Sequence, residues 1–440
     1  MKKHLTASLI LLLLFALFCS MIACSITVGN NTDPTIANEE GSTELKSSAK
    51  PIQKEVGDNL IYTQKRDGTY ELSSATSFRG IALEIPSVYN GEPVTSIGSA
   101  FFEMTYLVSL TIPSSIQEIK GNAFTTCENL VEICNKSNLP IIAGSKAYGR
   151  VAEYALGVIT DDSESKLTID DDGFICYKEN DSVILIDYKG TDLILNIPAD
   201  VTEIRNFAFD LDNEPIRVTI PASVKTMQEE AFQMCPRLIE VINLSSLPIE
   251  AGSESYGRVA LYASHVCTTE SESRISVQND FVLYTDEDTV SLRGYCGKDH
   301  TLTIPAGVTE VGKYAFDNID DLTGVTIPNS VTAIGECAFY YSDLTEIIIP
   351  DSITTIGESA FRSCRDLTSI SIGSGVQAIG SEAFLWIDDL TEITFRGNKA
   401  QWDAIQKGTN WLYWNGVDIT IHCTDEDIIF THPMIPKSSE

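Results

Sequence analysis

The sequence predicts a β-rich solenoid of coils about 23 residues long, interrupted by β-hairpin and short-helix modules. Three observations predict it. The pair Ile-Pro occurs at Ile304-Pro305, Ile327-Pro328 and Ile349-Pro350, with Ile372-Gly373 next, in steps of 23, 22 and 23 residues. The pair Ala-Phe keeps the same beat at Ala315-Phe316, Ala338-Phe339, Ala360-Phe361 and Ala383-Phe384, and earlier copies sit at Ile85/Phe101, Ile112/Phe124, Ile197/Phe209 and Ile220/Phe232. A longer unit also recurs: "NLPIIAGSKAYGRVAEYALGVIT" (138–160) returns 108 residues later as "SLPIEAGSESYGRVALYASHVCT" (246–268). Repeats at such a period mark units that cannot bury their own apolar face and must stack.

In chain order, the first element is a targeting signal. Lys2 and Lys3 precede the apolar run Leu9 to Cys19, and "SMIACS" comes next, with Ala23 before Cys24. This resembles a bacterial lipobox, which places a signal peptide over 1–23 and a lipidated N-terminus at Cys24; ordinary signal cleavage and an uncleaved short anchor are the alternatives. Residues 24–56 are rich in Ser, Thr, Asn, Glu and Lys and read as a flexible tether.

The folded part then divides into a hairpin plus a first repeat group (57–134), a linker and hairpin plus a second group (135–243), a linker and hairpin plus a third group of four coils (244–395), and a C-terminal cap and tail (396–440). The hairpins are "DNLIYTQKRDGTYELSSATSFRG", "DDGFICYKENDSVILIDYKG" and "NDFVLYTDEDTVSLRGYCG", with Asp67-Gly68 and Asp172-Gly173 as turn residues.

Within a coil, alternating apolar residues such as Ile370 and Ile372 predict a short strand, which Pro ends because it cannot donate to a ladder. The "SV-x-x-IG" step predicts a second short extended segment with Gly at a tight corner. The "E-x-A-F" step predicts a half-turn of helix, with Ala permitting close stacking and Phe filling the interior. Cys127, Cys235 and Cys364 share one place, three residues after the Phe, where other coils carry Ser342 or Ile387. That pattern predicts core residues rather than reactive thiols. The cysteines left after the signal are odd in number, and no CxxC pair occurs, so a disulfide framework is not expected.

Thirty Lys and Arg against 62 Asp and Glu give a net charge of −32, which repels nucleic-acid phosphate and anionic lipid. Enzyme signatures are thin. "GSGVQA" at 373–378 fits a dinucleotide fingerprint but occupies the place of "PDSITT" one coil earlier. The five histidines (His4, His265, His300, His422 and His432) lack ligand spacing with one another. Acidic runs at 168–174, 285–290 and 423–428 do not match the calcium-loop spacing and read as solvated turns. Trp402, Trp411, Tyr413 and Trp414 read as a cover for the terminal coil, with sugar stacking as the alternative. No catalytic residue, cofactor or metal site is expected.

The stretches "LTGVTIPNSVTAIGECAF" (322–339) and "IIIPDSITTIGESAFRSC" (347–364) resemble the BspA-like leucine-rich-repeat surface lipoproteins of bacteria. The resemblance covers roughly 81–134, 193–243 and 300–395, and 396–423 is similar to the segment that closes such arrays. It implies a lipid-anchored cell-surface protein that binds proteins or glycans of other cells or of extracellular matrix, without enzymatic activity. A passive structural or sensory role in the envelope is the alternative, with a glycan hydrolase more distant.

Alignment of the coils puts Thr111, Thr219, Thr303, Thr326, Ser371 and Thr394 at one outward position, and Glu132, Glu240, Glu346 and Glu392 two residues earlier. These ten residues form the candidate binding face, expected to be exposed. Thr also simply favours strands, so a plain soluble β-face is the alternative reading.

Overall fold

The computed structural model describes residues 49–430, apart from 57–59, 76–77, 100–103, 105, 210–214, 234, 318, 320 and 414–417. The signal segment, Cys24, Phe101 and Trp414 lie outside the described residues. Among the described residues, no helix is long and apolar enough to cross a membrane.

The coils of each repeat group stack into two parallel ladders, one of longer strands and one of two-residue strands. The long-strand ladders run 55–56, 82–84, 109–112, 132–135 and 157–159 in the first group; 194–196, 217–220, 240–243 and 265–267 in the second; and 301–303, 324–326, 346–349, 369–372, 392–395 and 419–422 in the third. Inward residues such as Ile347, Ile349, Ile370 and Ile372 are fully buried. The "SV-x-x-IG" step gives the predicted second ladder, for example Glu310–Val311, Ala333–Ile334, Thr355–Ile356 and Ala378–Ile379. Each hairpin supplies the first rungs of that ladder: Tyr70–Ser74, Ser182–Tyr188 and Thr289–Tyr295 each pair in parallel with the next ladder strand. Gly68 and Gly173 take φ of +90° and +94° in the expected turns.

The core is a column of aromatic rings. Phe316, Phe339, Phe361 and Phe384 stack coil on coil at centroid spacings of 5.0, 5.0 and 5.2 Å. Each such ring removed from water is worth roughly 1.5–3 kcal/mol. Cys127, Cys235 and Cys364 are buried in the equivalent cores, and nine cysteines are free among the described residues. Trp402 and Trp411 are buried at the last coil, where a helix Lys399–Ala404 begins with a capping box of Asn398 and Gln401.

Four expectations need correction. The "E-x-A-F" step is not helical: Tyr314, Cys337, Ser359 and Glu382 sit at φ of 58°, 51°, 52° and 57°, a left-handed turn before each Ala. That turn aims N–H groups at the neighbouring coil instead of along the chain, so Phe316 N donates to Ala338 O at 2.8 Å and Phe339 N to Ala360 O at 2.8 Å. The coil glycines serve close approach rather than a corner: a Cβ on Gly357 would stand 2.5 Å from the Gly335 carbonyl carbon, and one on Gly380 2.5 Å from that of Gly357.

The tether does not extend to residue 56. Lys50–Pro51 pairs with Leu167–Ile169 of the second hairpin sheet, and Glu55–Val56 pairs with Ala82–Glu84 of the first ladder. Residues 50–56 therefore strap the first group to the second.

The linkers, finally, are diverged coils. Tyr148, Gly149 and Arg150 form a left-handed turn (φ 49°, 66°, 65°) that Tyr256, Gly257 and Arg258 repeat (52°, 68°, 61°). Phe124 N donates to Gly149 O at 2.9 Å and Phe232 N to Gly257 O at 2.8 Å, the bond that another coil's Ala receives elsewhere. The strands Gly157–Ile159 and His265–Cys267 then close each ladder.

Candidate binding surface

Along each long strand, side chains alternate between the coil interior and an outer face. Whether that outer face meets water depends on the next module in the chain. In the first group it is covered by the second hairpin sheet, through Val108 and Val131 against Leu167, Ile175, Tyr177 and Ile186. In the second group Ile216 and Ile239 pack against Ile275, Val282 and Tyr284 of the third hairpin sheet.

Glu132 and Glu240 sit at the centre of these two joints. Glu132 is 1% exposed and accepts Ser165 Oγ at 2.6 Å and Lys166 N at 3.0 Å. Glu240 is 0% exposed and accepts Ser273 Oγ and, at 2.7 Å, Arg274 N. Buried carboxylates demand such charge-assisted bonds, and here they come from the next module. Four of the ten face residues thus are not exposed: Thr111, Thr219, Glu132 and Glu240 are buried. The physical reason is that a docked module consumes the face.

The strap completes the first joint. Lys54 Nζ donates to Thr111 Oγ1 at 2.8 Å and to Asp162, and Lys136 pairs with Asp162 at 2.9 Å. Burial works against the ionised form of Asp162, but the bonds from Lys54 and Lys136 outweigh it and hold the carboxyl at about 2.

Among the described residues no hairpin sheet covers the outer face of the third group, where the antiparallel strand Asp427–Phe430 extends the ladder at its edge. Thr303, Thr326, Thr394, Glu346 and Glu392 are exposed, and Ser371 is half-buried. Ile348 stands among them, 59% exposed, in register with Thr326 and Ser371. On the last rung His422 lies 2.9 Å from Asp427 and 3.4 Å from Glu392; the bond to Asp427 chiefly raises its pKa above the ordinary imidazole range. The face is therefore polar and acidic, with Ile348 as the apolar residue among the repeat coils and Ile429, 66% exposed and opposite Thr420, at the antiparallel strand Asp427–Phe430 that ends the sheet.

Sequence reasoning missed the position that decides coverage, the residue just before each long strand. In the first two groups it is Ile81, Val108, Val131 and Leu156, then Leu193, Ile216 and Ile239, with polar Lys54 and Ser264 before the outermost strands Glu55–Val56 and His265–Cys267. In the third it is His300, Thr323, Thr345, Thr368 and Thr391. The threonine hydroxyls bond coil to coil, Thr345 Oγ1 to Thr323 O at 3.3 Å and Thr368 Oγ1 to Thr345 O at 3.2 Å. The switch from apolar residues to threonine was readable in the sequence once the coils were aligned.

This architecture is a leucine-rich-repeat solenoid in three jointed groups. A family model for the BspA type leucine rich repeat region matches six copies over residues 74–149, 193–266 and 294–405. That is more than half of the chain, and the protein belongs to this family. The matched spans run into the Tyr-Gly-Arg turns, in keeping with diverged coils there.

Among solved structures, the chain is similar to a leucine rich cell surface protein from Faecalibacterium prausnitzii (22% identity, 79% of this chain and 96% of that one, TM-score 0.35). It is also similar to a leucine-rich repeat protein from Eubacterium ventriosum (16% identity, 82% and 84%, TM-score 0.33) and to the pneumococcal vaccine antigen PcpA (19% identity, 77% and 88%, TM-score 0.29). No curated protein matches the chain.

Proposed function

We propose that this chain is exported, anchored by lipid at Cys24 on the cell exterior, and works as a binding module for proteins or glycans through the outer face of its third ladder. The observation that supports the reading is the contrast between groups. The same face is used for docking a module in the first two groups and is left open, threonine-lined and acidic in the third. The contact residues are Thr303, Thr326, Ser371, Thr394, Glu346 and Glu392, with Ile348 as the apolar anchor. A surface of this chemistry suits a partner with basic and hydroxyl groups and a small apolar contact.

Two experiments test the two halves of the proposal. Detergent partitioning of whole cells expressing the chain should place it in the membrane phase, and Cys24→Ala should release it; retention of that variant contradicts the lipid anchor. A screen of residues 25–440 against matrix proteins, serum proteins and glycans at two salt concentrations should give a saturable interaction that weakens with salt. Silence from the folded chain across the panel would turn the reading toward a structural or sensory role.

A further inference from the structure

The two joints are copies of one another, and the second carries two side chains that the first does without. At the closing strand of the first group, the outward residues beside Glu132 and Cys134 are Gly157 and Ile159. At the closing strand of the second, the corresponding residues beside Glu240 and Ile242 are His265 and Cys267. Both joints hold the same carboxylate clamp on the next hairpin, Glu132 with Ser165 and Lys166, Glu240 with Ser273 and Arg274. The histidine and cysteine are therefore not needed to make the joint.

What they add is a ligand set. One ring nitrogen of His265, Cys267 Sγ and a carboxylate oxygen of Glu240 lie within 4.8 Å of one another. Strand geometry explains this convergence, because residues two apart share a face and Glu240 stands directly opposite His265 in the ladder. We propose that these three residues bind a zinc-class divalent cation that locks the second joint.

Three further features support the site. The Nε2 atom of His265 lies 3.1 Å from the Glu272 carbonyl. A carbonyl only accepts, so Nε2 carries the proton and the other nitrogen presents a lone pair. A ring N–H held by a carbonyl in this way is the usual support behind a metal-bound imidazole. Glu240 already accepts two bonds, but a carboxylate has about four lone-pair directions, so it can still ligate. His265 also lines an open cavity of about 650 Å³ with Asn243, Ser245 and Thr268, so the site borders solvent on the histidine side, while Glu240 and Cys267 are buried.

Thiolate, imidazole and carboxylate together select zinc over calcium or magnesium, and three protein ligands leave the fourth tetrahedral position to water. On binding, Cys267 gives up its thiol proton to solvent, so affinity rises with pH. Arg217 and Arg274 flank Glu240 but are engaged by Glu270 at 3.2 Å and Asp286 at 2.7 Å, and with Glu240 and Glu272 acting on Cys267 the carboxylates outnumber the guanidinium groups there.

Titration of residues 25–440 with Co²⁺ tests the proposal, with Zn²⁺ as competitor. One equivalent should bring up a thiolate-to-cobalt charge-transfer band and tetrahedral visible bands, which Zn²⁺ abolishes. Cys267→Ile and His265→Gly reproduce the side chains of the first joint, so both variants should fold. Cys267→Ile should lose the band. His265→Gly should weaken binding by at least the ~10–100-fold that even an outer-shell contact carries. Zn²⁺ should raise the thermal midpoint of the parent chain and leave Cys267→Ile unmoved. No thiolate band in the parent, or a band that persists in Cys267→Ile, overturns the assignment.

Discussion

The Glu240 carboxylate accepts the backbone N–H of Arg274 at 2.7 Å across a joint between two repeat groups. A buried acid on the last repeat coil of one group thereby fixes the start of the next hairpin sheet. Glu240→Ala would leave the Arg274 N–H and the Ser273 hydroxyl without their acceptor in a buried setting. An unsatisfied buried partner of a charged group costs about 1–3 kcal/mol. Denaturant unfolding should show a loss of that size, and hydrogen exchange should rise first over 270–290. Protection unchanged there would contradict a structural role for the clamp.

The glycine stack sets a steric limit on the array. Gly357→Ala puts a Cβ 2.5 Å from a backbone carbon of the preceding coil, whereas nothing lies within 4 Å of a Cβ at Gly307. Backbone cannot yield as a side-chain tip can, so Gly357→Ala should cost about 1–3 kcal/mol or more. Gly307→Ala should be neutral or stabilising by about 0.4–1 kcal/mol. Thermal unfolding of the pair measures the contrast, and equal midpoints would contradict it.

Thiol reactivity should track the coil positions. Burial pushes Cys127 and Cys364 up to about 12, and both are inside the cores, while Cys296 is exposed. Ellman's reagent on the native chain should modify Cys296 first and reach Cys127, Cys235 and Cys364 only on unfolding. Fast labelling of Cys364 in the folded chain would contradict the core assignment.

The first joint should be acid-sensitive. The folded Asp162 carboxyl titrates at about 2, below its ordinary value of 3.8, so the unfolded chain binds its proton first. Its contribution is present above the unfolded value of about 4 and is lost as pH falls through ~2, below which both states are protonated. Asp162→Asn should therefore lower the thermal midpoint at pH 7 and flatten its decline between pH ~4 and ~2. A parallel decline in parent and variant would contradict the assignment.

The sequence made the coils legible because burial repeats there with a fixed period. Phe339, Phe361 and Cys364 could be placed in the core from spacing alone, and so could the turns at Gly68 and Gly173. The conformation before Ala315, Ala338 and Ala360 was not legible, because Tyr314, Cys337 and Ser359 carry no residue preference for a left-handed backbone. The strap was missed because Lys50–Val56 offers only Ile52 and Val56 as apolar residues, too few to show a period. Glu132 and Glu240 looked identical to Glu346 and Glu392 within their own coils. What separates them lies one residue before the strand, in Val131 and Ile239 against Thr345 and Thr391.

The proposed partner site is the open face of the third ladder. Its most direct test is the affinity of residues 25–440 for a partner from the binding screen, measured beside Glu346→Lys and Ile348→Lys. Both positions are exposed, so the variants should keep the parent's thermal midpoint. Each variant should lose at least ~10-fold in affinity, as a charge reversal and the loss of an apolar anchor are each worth more than about 1.4 kcal/mol at a contact centre. Unchanged affinity in both variants, with binding otherwise intact, would contradict this assignment and place the partner elsewhere on the solenoid.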